Sequence, residues 1–315
     1  MRVALAGSGQ LAACLMQPIL QSRHELAALV QNGRATKGFQ RRLHPFLGRV
    51  FGGTISVTGQ ARRRGIPIVW IDKMSPDELA PLRERAPDLL LVGGFSIILK
   101  PPILNLPRLG CVNTHSSLLP RHRGPNPFTA AILAGDEETG VTFHVMDEGI
   151  DTGDILEQRR MPIYDDDTAG NLYRRASQLA GDHIVALLDR IEREGRLKGE
   201  PQPAEGATYE KLPKPEDTFL DWIEPAEALH RKVRALYPLM RARFLFRGHV
   251  VSVLRAAYDD SPVDAPPGTV LANRPSVAIA TGRGTLYIVN AYTLFPMPSR
   301  WPSFFGRPEV GEVLE

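Results

Sequence analysis

Between Asp88 and Gly94 the chain reads DLLLVGG, an aliphatic run with no polar position inside it. A strand with one wet face alternates apolar and polar residues. A strand without alternation is covered on both faces, as inside a parallel sheet flanked by helices. Upstream, VALAG, ELAALVQN and IPIVWI repeat the theme as apolar strands separated by helix-forming stretches. One of those stretches carries its own start signal: Ser75 as N-cap, Pro76 in the first turn and Glu78 three residues on. Strands alternating with helices predict an α/β, Rossmann-like domain with a mostly parallel sheet.

Further along, a helix is expected after Asn126 through Ala134, then the alternating strand ETGVTFHVM, then a long amphipathic helix from Thr168 to Glu194. Composition then shifts: GRLKGEPQPAEGATYEKLPKPED is rich in Pro, Gly and charge and reads as a linker. After a short helix near Pro225–Leu236, five short strand-like segments follow, which predict a small OB-like β-barrel. The expected division is a first domain over 1–195, a linker over 196–220 and a β-barrel domain over 221–315. A length of 315 residues accommodates two cores.

Apolar content of 43% and charged content of 23% are those of a soluble globular protein. Cys14 and Cys111 are too few for a disulfide framework or a Cys-based zinc site. The opening MRVALAGSG is interrupted by glycine too early for a signal peptide, and Leu89–Leu99 is too short to span a bilayer. A cytoplasmic protein is the expectation. Charge is uneven: no acidic residue falls between Leu26 and Ile71, where Arg34, Lys37, Arg41, Arg42, Arg49, Arg62, Arg63 and Arg64 cluster. Such a field suits a polyanion such as RNA or a nucleotide, or a solvated insertion.

The glycine pattern GSGQLA after the first strand fits G-x-G-x-x-A, but the second strand ends in Gln31-Asn32 and not in the acid that would hold a ribose. A tight strand-to-helix turn is the better account. No H-E-x-x-H, G-x-S-x-G or Walker pattern occurs, and no metal site is expected.

The chemistry concentrates in LGCVNTHSSLLPRHRG. Asn113 and His115 are two apart at the end of a short strand, so they project together beyond its carboxyl end. A carboxylate from a later loop, Asp151 in MDEGIDTGDIL, could hold His115 in its charged form. An amide, an imidazolium and a carboxylate without a Ser or Cys nucleophile suit direct acyl transfer. His144 alternates away from this group on its strand and reads as an ordinary core or surface histidine.

These stretches, NTHSSLLPRHRGPNPF followed by AGDEETGVTFHVMDEGIDTGDIL, resemble the core signature of the folate-dependent formyltransferases. The resemblance extends upstream through LLLVGGFSIILKPPILNLPRLGC and more weakly to both ends. It implies that Asn113, His115 and Asp151 form the catalytic trio, with 10-formyltetrahydrofolate as formyl donor. It places the pterin between Phe95, Ser96, Ile97, Ile98 and Leu99 on one side and the loop of Asp147, Gly149 and Asp154 on the other. Ser116, Leu118, Pro120, Arg121 and Arg123 would line the acceptor side, joined by Arg41 and Arg42 from the basic segment. The implied acceptor is a primary amine: that of initiator methionyl-tRNA, or a small amine such as an aminosugar nucleotide, an amino acid or a peptide intermediate. Hydrolysis of the donor by the same trio is a third reading. His122 and Pro125-Asn126-Pro127 depart from the residues usual in the tRNA enzymes.

Overall fold

The computed structural model describes residues 1–33, 57–292 and 306–314. Contacts divide these into two compact units. The first comprises Met1–Gly124, Glu138–Pro162 and Tyr173–Tyr209. Its strands are β1 (Arg2–Gly7), β2 (Glu25–Asn32), β3 (Ile68–Ile71), β4 (Leu89–Gly93), β5 (Cys111–His115), β6 (Glu138–Val145) and β7 (Ile155–Pro162). They form one sheet in the order β3-β2-β1-β4-β5-β6-β7, parallel from β3 to β5 and antiparallel at β6 and β7. The mostly parallel sheet is therefore present, with an antiparallel extension on one side. Every residue of β4 is buried, as its unbroken apolar run requires.

Helices α1 (Gly9–Gln21), α2 (Val57–Arg63), α3 (Pro76–Glu84) and α4 (Pro101–Leu104) fall between the parallel strands. At α3 the Ser75 hydroxyl accepts from the Glu78 amide at 3.4 Å, while the Glu78 carboxylate accepts from the Asp72, Lys73 and Met74 amides. The GSGQLA turn is a packing device: a Cβ on Gly7 would meet the Gly93 carbonyl oxygen at 2.1 Å, and Gly9 sits at φ +69. Gln31, where a dinucleotide fold wants an acid, donates to the Gly7 carbonyl.

The second unit comprises Pro125–Glu137, Ile163–Leu172 and Glu210–Glu315. Helix α5 (Pro127–Ala134) belongs to it and packs on α7 (Ala226–Leu236). The long helix α6 (Ala169–Glu194) has its first turn here and the rest in the first unit. Strands β8 (Ala242–Phe246), β9 (His249–Asp259), β10 (Val270–Ala272), β11 (Val277–Ala280) and β12 (Thr285–Tyr292) make an antiparallel sheet in the order β10-β11-β12-β9-β8. Trp222, Phe244, Phe246, Val251, Ile279 and Ile288 fill its core, giving the small β domain that the glycine-punctuated strands predict. Among the described residues no helix is long and apolar enough to cross a membrane.

Candidate active site

β5 ends at the carboxyl edge of the first sheet, and its last turn of chain delivers Asn113 and His115 side by side. The loop between β6 and β7 returns Asp151 to them. Asn113 Nδ2 donates to Asp151 Oδ1 at 3.1 Å, and His115 Nδ1 lies 3.5 Å from Asp151 Oδ2. Three side chains expected to meet from sequence do meet.

Asp151 is held from several sides. It adopts a left-handed backbone, φ +53, which costs a non-glycine residue about 1–2 kcal/mol. Gln202 Nε2 donates to the Asp151 carbonyl at 2.9 Å and to the Gly153 carbonyl at 2.8 Å, fixing that conformation. The Gly124 amide donates to Asp151 Oδ2 at 2.9 Å. Burial by itself would raise the Asp151 carboxyl, but His144, His115 and the Gly124 amide outweigh it and bring the pKa down to about 2. Asp151 is therefore ionised throughout the physiological range.

His115 is buried, and its Nε2 is 2.8 Å from the His122 carbonyl oxygen. A carbonyl only accepts, so Nε2 carries the proton. The expectation that Asp151 keeps the ring charged meets an opposing effect. Desolvation lowers the His115 pKa by more than the Asp151 carboxylate raises it.

His144 corrects the reading of the sequence. It does not turn away. β6 pairs antiparallel with β5 so that His144 lies directly across from Asn113, and cross-strand partners share a face. A register irregularity against β7 between Phe143 and His144 accompanies this placement. The His144 ring is 2% exposed, with Nε2 at 3.2 Å from Asn113 Nδ2 and 3.4 Å from Asp151 Oδ1. Period-two counting along one strand cannot give this proximity, because it comes from the pairing of two strands.

Gln202 also escaped notice, since its surroundings read as linker. Residues 196–209 are pinned to the reaction loop instead. Glu200 pairs with Ile155, the Arg123 amide donates to the Thr208 carbonyl at 3.0 Å, and the His122 amide donates to the Thr208 hydroxyl at 2.8 Å. Arg123 gives its guanidinium to Gln202 Oε1 at 2.7 Å and 3.2 Å, so it braces the loop where an acceptor contact was expected. Arg121 is exposed, Ser116 is buried, and Leu118 and Pro120 are half-buried in the same loop. Arg41 and Arg42 lie outside the described residues.

The expected pterin walls are asymmetric. Phe95, Ile97 and Leu99 pack into an apolar cluster with Ile103, Leu104, Cys111 and Met146, while Ser96 and Ile98 face outward, Ile98 with 67% exposure. On the other wall Asp147 Oδ1 accepts from the Gly149 amide at 3.0 Å and from the Thr152 hydroxyl at 2.8 Å, closing its own loop. Asp154 is exposed, and its carbonyl accepts from the Val145 amide. A cavity of about 540 Å³ opens beside this cluster, lined by Leu104, Cys111, Met146, Asp147 and Glu148 among others but by none of Phe95–Leu99. Asn105, Arg108 and Arg196 also line it, and none of Asn113, His115 and Asp151 does.

His24, Asp189 and Glu192 also come within ligand distance of one another. Their oxygens are engaged by Arg23 and the Met1 amino group, which makes an ion-pair network of them.

The sequence of this fold and site has known relatives. Residues 61–188 match the formyl transferase family and residues 213–293 match the formyl transferase C-terminal domain. The methionyl-tRNA formyltransferase of Halorhodospira halophila is 37% identical over 91% of this chain and 90% of its own. The chain belongs to the formyl transferase family. The Methylococcus capsulatus methionyl-tRNA formyltransferase, at 34% identity over 92% of the chain and 91% of its own length, repeats the match. Among solved structures, methionyl-tRNA formyltransferase from Clostridium thermocellum superposes with a TM-score of 0.58 at 19% identity, covering 90% of this chain and all of that one. An N-formyltransferase from Helicobacter canadensis, in complex with folinic acid and dTDP-3-aminofucose, gives 0.66 at 18% identity over 91% and 98% of the two chains. At those identities the structural likeness is one of formyl transferase fold alone.

Proposed function

We propose that this protein transfers the formyl group of 10-formyltetrahydrofolate to the amino group of initiator methionyl-tRNA, in the cytoplasm where both substrates occur. The observation that carries the reading is the meeting of Asn113, His115 and Asp151 at the end of β5, with no nucleophilic side chain among them. The neutral amine attacks the formyl carbon, and the carbonyl electron pair moves onto oxygen. His115 Nε2–H, released from the His122 carbonyl, donates to that oxyanion. The amine's proton enters the Asp151–His115 pair, where the ionised carboxylate stabilises the imidazolium it creates. Collapse re-forms the carbonyl and breaks the bond to N10, which takes the proton back. The pterin is proposed to sit between Phe95–Leu99 and the loop from Asp147 to Asp154, which carries Asp151. Removal of one oxyanion donor typically costs about 3–4 kcal/mol of barrier.

The acceptor is tested by supplying 10-formyltetrahydrofolate with charged initiator tRNA at low salt, and in parallel with a nucleotide-linked aminosugar and with water alone. Formyl-methionyl-tRNA as the fast product supports the proposal. Formylation of the aminosugar alone, or release of formate alone, overturns the choice of acceptor while leaving the chemistry in place.

A further inference from the structure

His144 lies in the reaction centre, yet the transfer just described does not use it. Its Nδ1 is 2.8 Å from the Val145 carbonyl oxygen, so Nδ1 carries a proton and Nε2 of the neutral ring can only accept. Asn113 Nδ2 answers that demand. It sits 3.2 Å from His144 Nε2 and 3.1 Å from Asp151 Oδ1, one hydrogen for each acceptor. Both amide hydrogens are thereby committed, and the carboxamide end left for substrate is Oδ1. A side chain at this position that cannot accept would free one Nδ2–H and let the Asn113 carboxamide turn over.

We propose that His144 is a positioning residue that fixes which way round the Asn113 carboxamide sits, and so whether its acceptor end or its donor end meets the reacting groups. Held this way round, Asn113 presents Oδ1 to the attacking amine, and the oxyanion is met by His115. His144 is suited to this control because β6 holds it rigidly. It is buried, anchored through Nδ1, and edge-on to His115 with ring centroids 6.4 Å apart. The inference rests on formyl transfer as the reaction, but one of its tests does not.

The independent test is the side-chain ¹⁵N–¹H₂ resonance pair of Asn113, identified by its loss in Asn113→Ala. In the unaltered protein the pair should be displaced from free carboxamides by its two acceptors. In His144→Leu it should move towards the free position, and in His144→Gln, whose Oε1 can accept, it should stay displaced. The kinetic arm uses a double-mutant cycle. His144→Leu should lower kcat about tenfold to a hundredfold with the KM for 10-formyltetrahydrofolate within about twofold, as for a reacting group shifted by a fraction of its own size. The same change in an Asn113→Ala background should cost less than about threefold more, since both act through one amide. An unmoved Asn113 resonance in His144→Leu, or fully additive kinetic losses, overturns the proposal. A protein without formyl transfer activity that still shows the resonance shift would refute the proposed function and leave the positioning intact.

Discussion

At Asp151 a single carboxylate serves four partners, so its replacement is not a local matter. Asp151→Ala and His115→Ala should each lower kcat by about a hundredfold or more while the protein remains folded and binds the donor. Steady-state kinetics and circular dichroism check this, and retention of half the activity in His115→Ala would end the assignment. A second residue gives a pH signature away from the site. His230, on α7, is pulled down to about 4 by burial and by Arg234. Its unfolded pKa is near 6.5, so the unfolded chain takes up the proton first as pH falls. The His230 contribution to stability should be lost between about pH 6.5 and 4 and stay constant below, and His230→Gln should reduce the decline in urea titrations between pH 7 and pH 5. Asn113, His115 and Asp151 were legible because residue type, spacing and order carried them. His144 was not, since only the register of β6 against β5 brings it across from Asn113.

At the level of elements, most of the architecture could be read in advance. The unbroken apolar run of β4, the capping box of α3 and the amphipathic period of α6 each act over neighbouring residues, and each formed where expected. The stretch 196–209 was misjudged for a definite reason. Its Pro, Gly and charge describe the absence of a helix or strand but say nothing of the hydrogen bonds a side chain such as Gln202 can make. Gln202→Ala should release the Asp151 and Gly153 carbonyls and leave the Arg123 guanidinium without that acceptor. A loss of about 1–2 kcal/mol in stability and about tenfold in kcat is expected. Thermal melts read the first and steady-state assays the second, and an unchanged kcat would show that the loop keeps its conformation without the brace.

For the whole molecule, the acceptor question becomes one of long-range charge. Arg62 and Arg63, exposed at the end of α2, continue the acid-free segment that includes Arg41 and Arg42. If the acceptor is tRNA, neutralising all four should weaken its binding strongly and reduce the salt dependence of affinity, because each phosphate contact formed releases counterions and steepens that dependence. Formylation of a small free amine by the same variant should be unchanged. Binding measured from 50 to 200 mM salt tests it, and a flat salt response in the unaltered protein would turn the assignment towards a small-molecule acceptor.

The brace at 196–209 also bears on how such a protein can be cut and recombined. A fragment stopped at residue 195 would contain Asn113, His115, His144 and Asp151 and still lack Gln202 and Thr208, which hold the Asp151 turn and the His122 amide. On the ribosome, likewise, the reaction centre cannot reach its final shape until chain well past α6 has emerged. A chimera that is to keep this reaction centre should therefore splice no earlier than Tyr209, the last residue of the first unit's final segment.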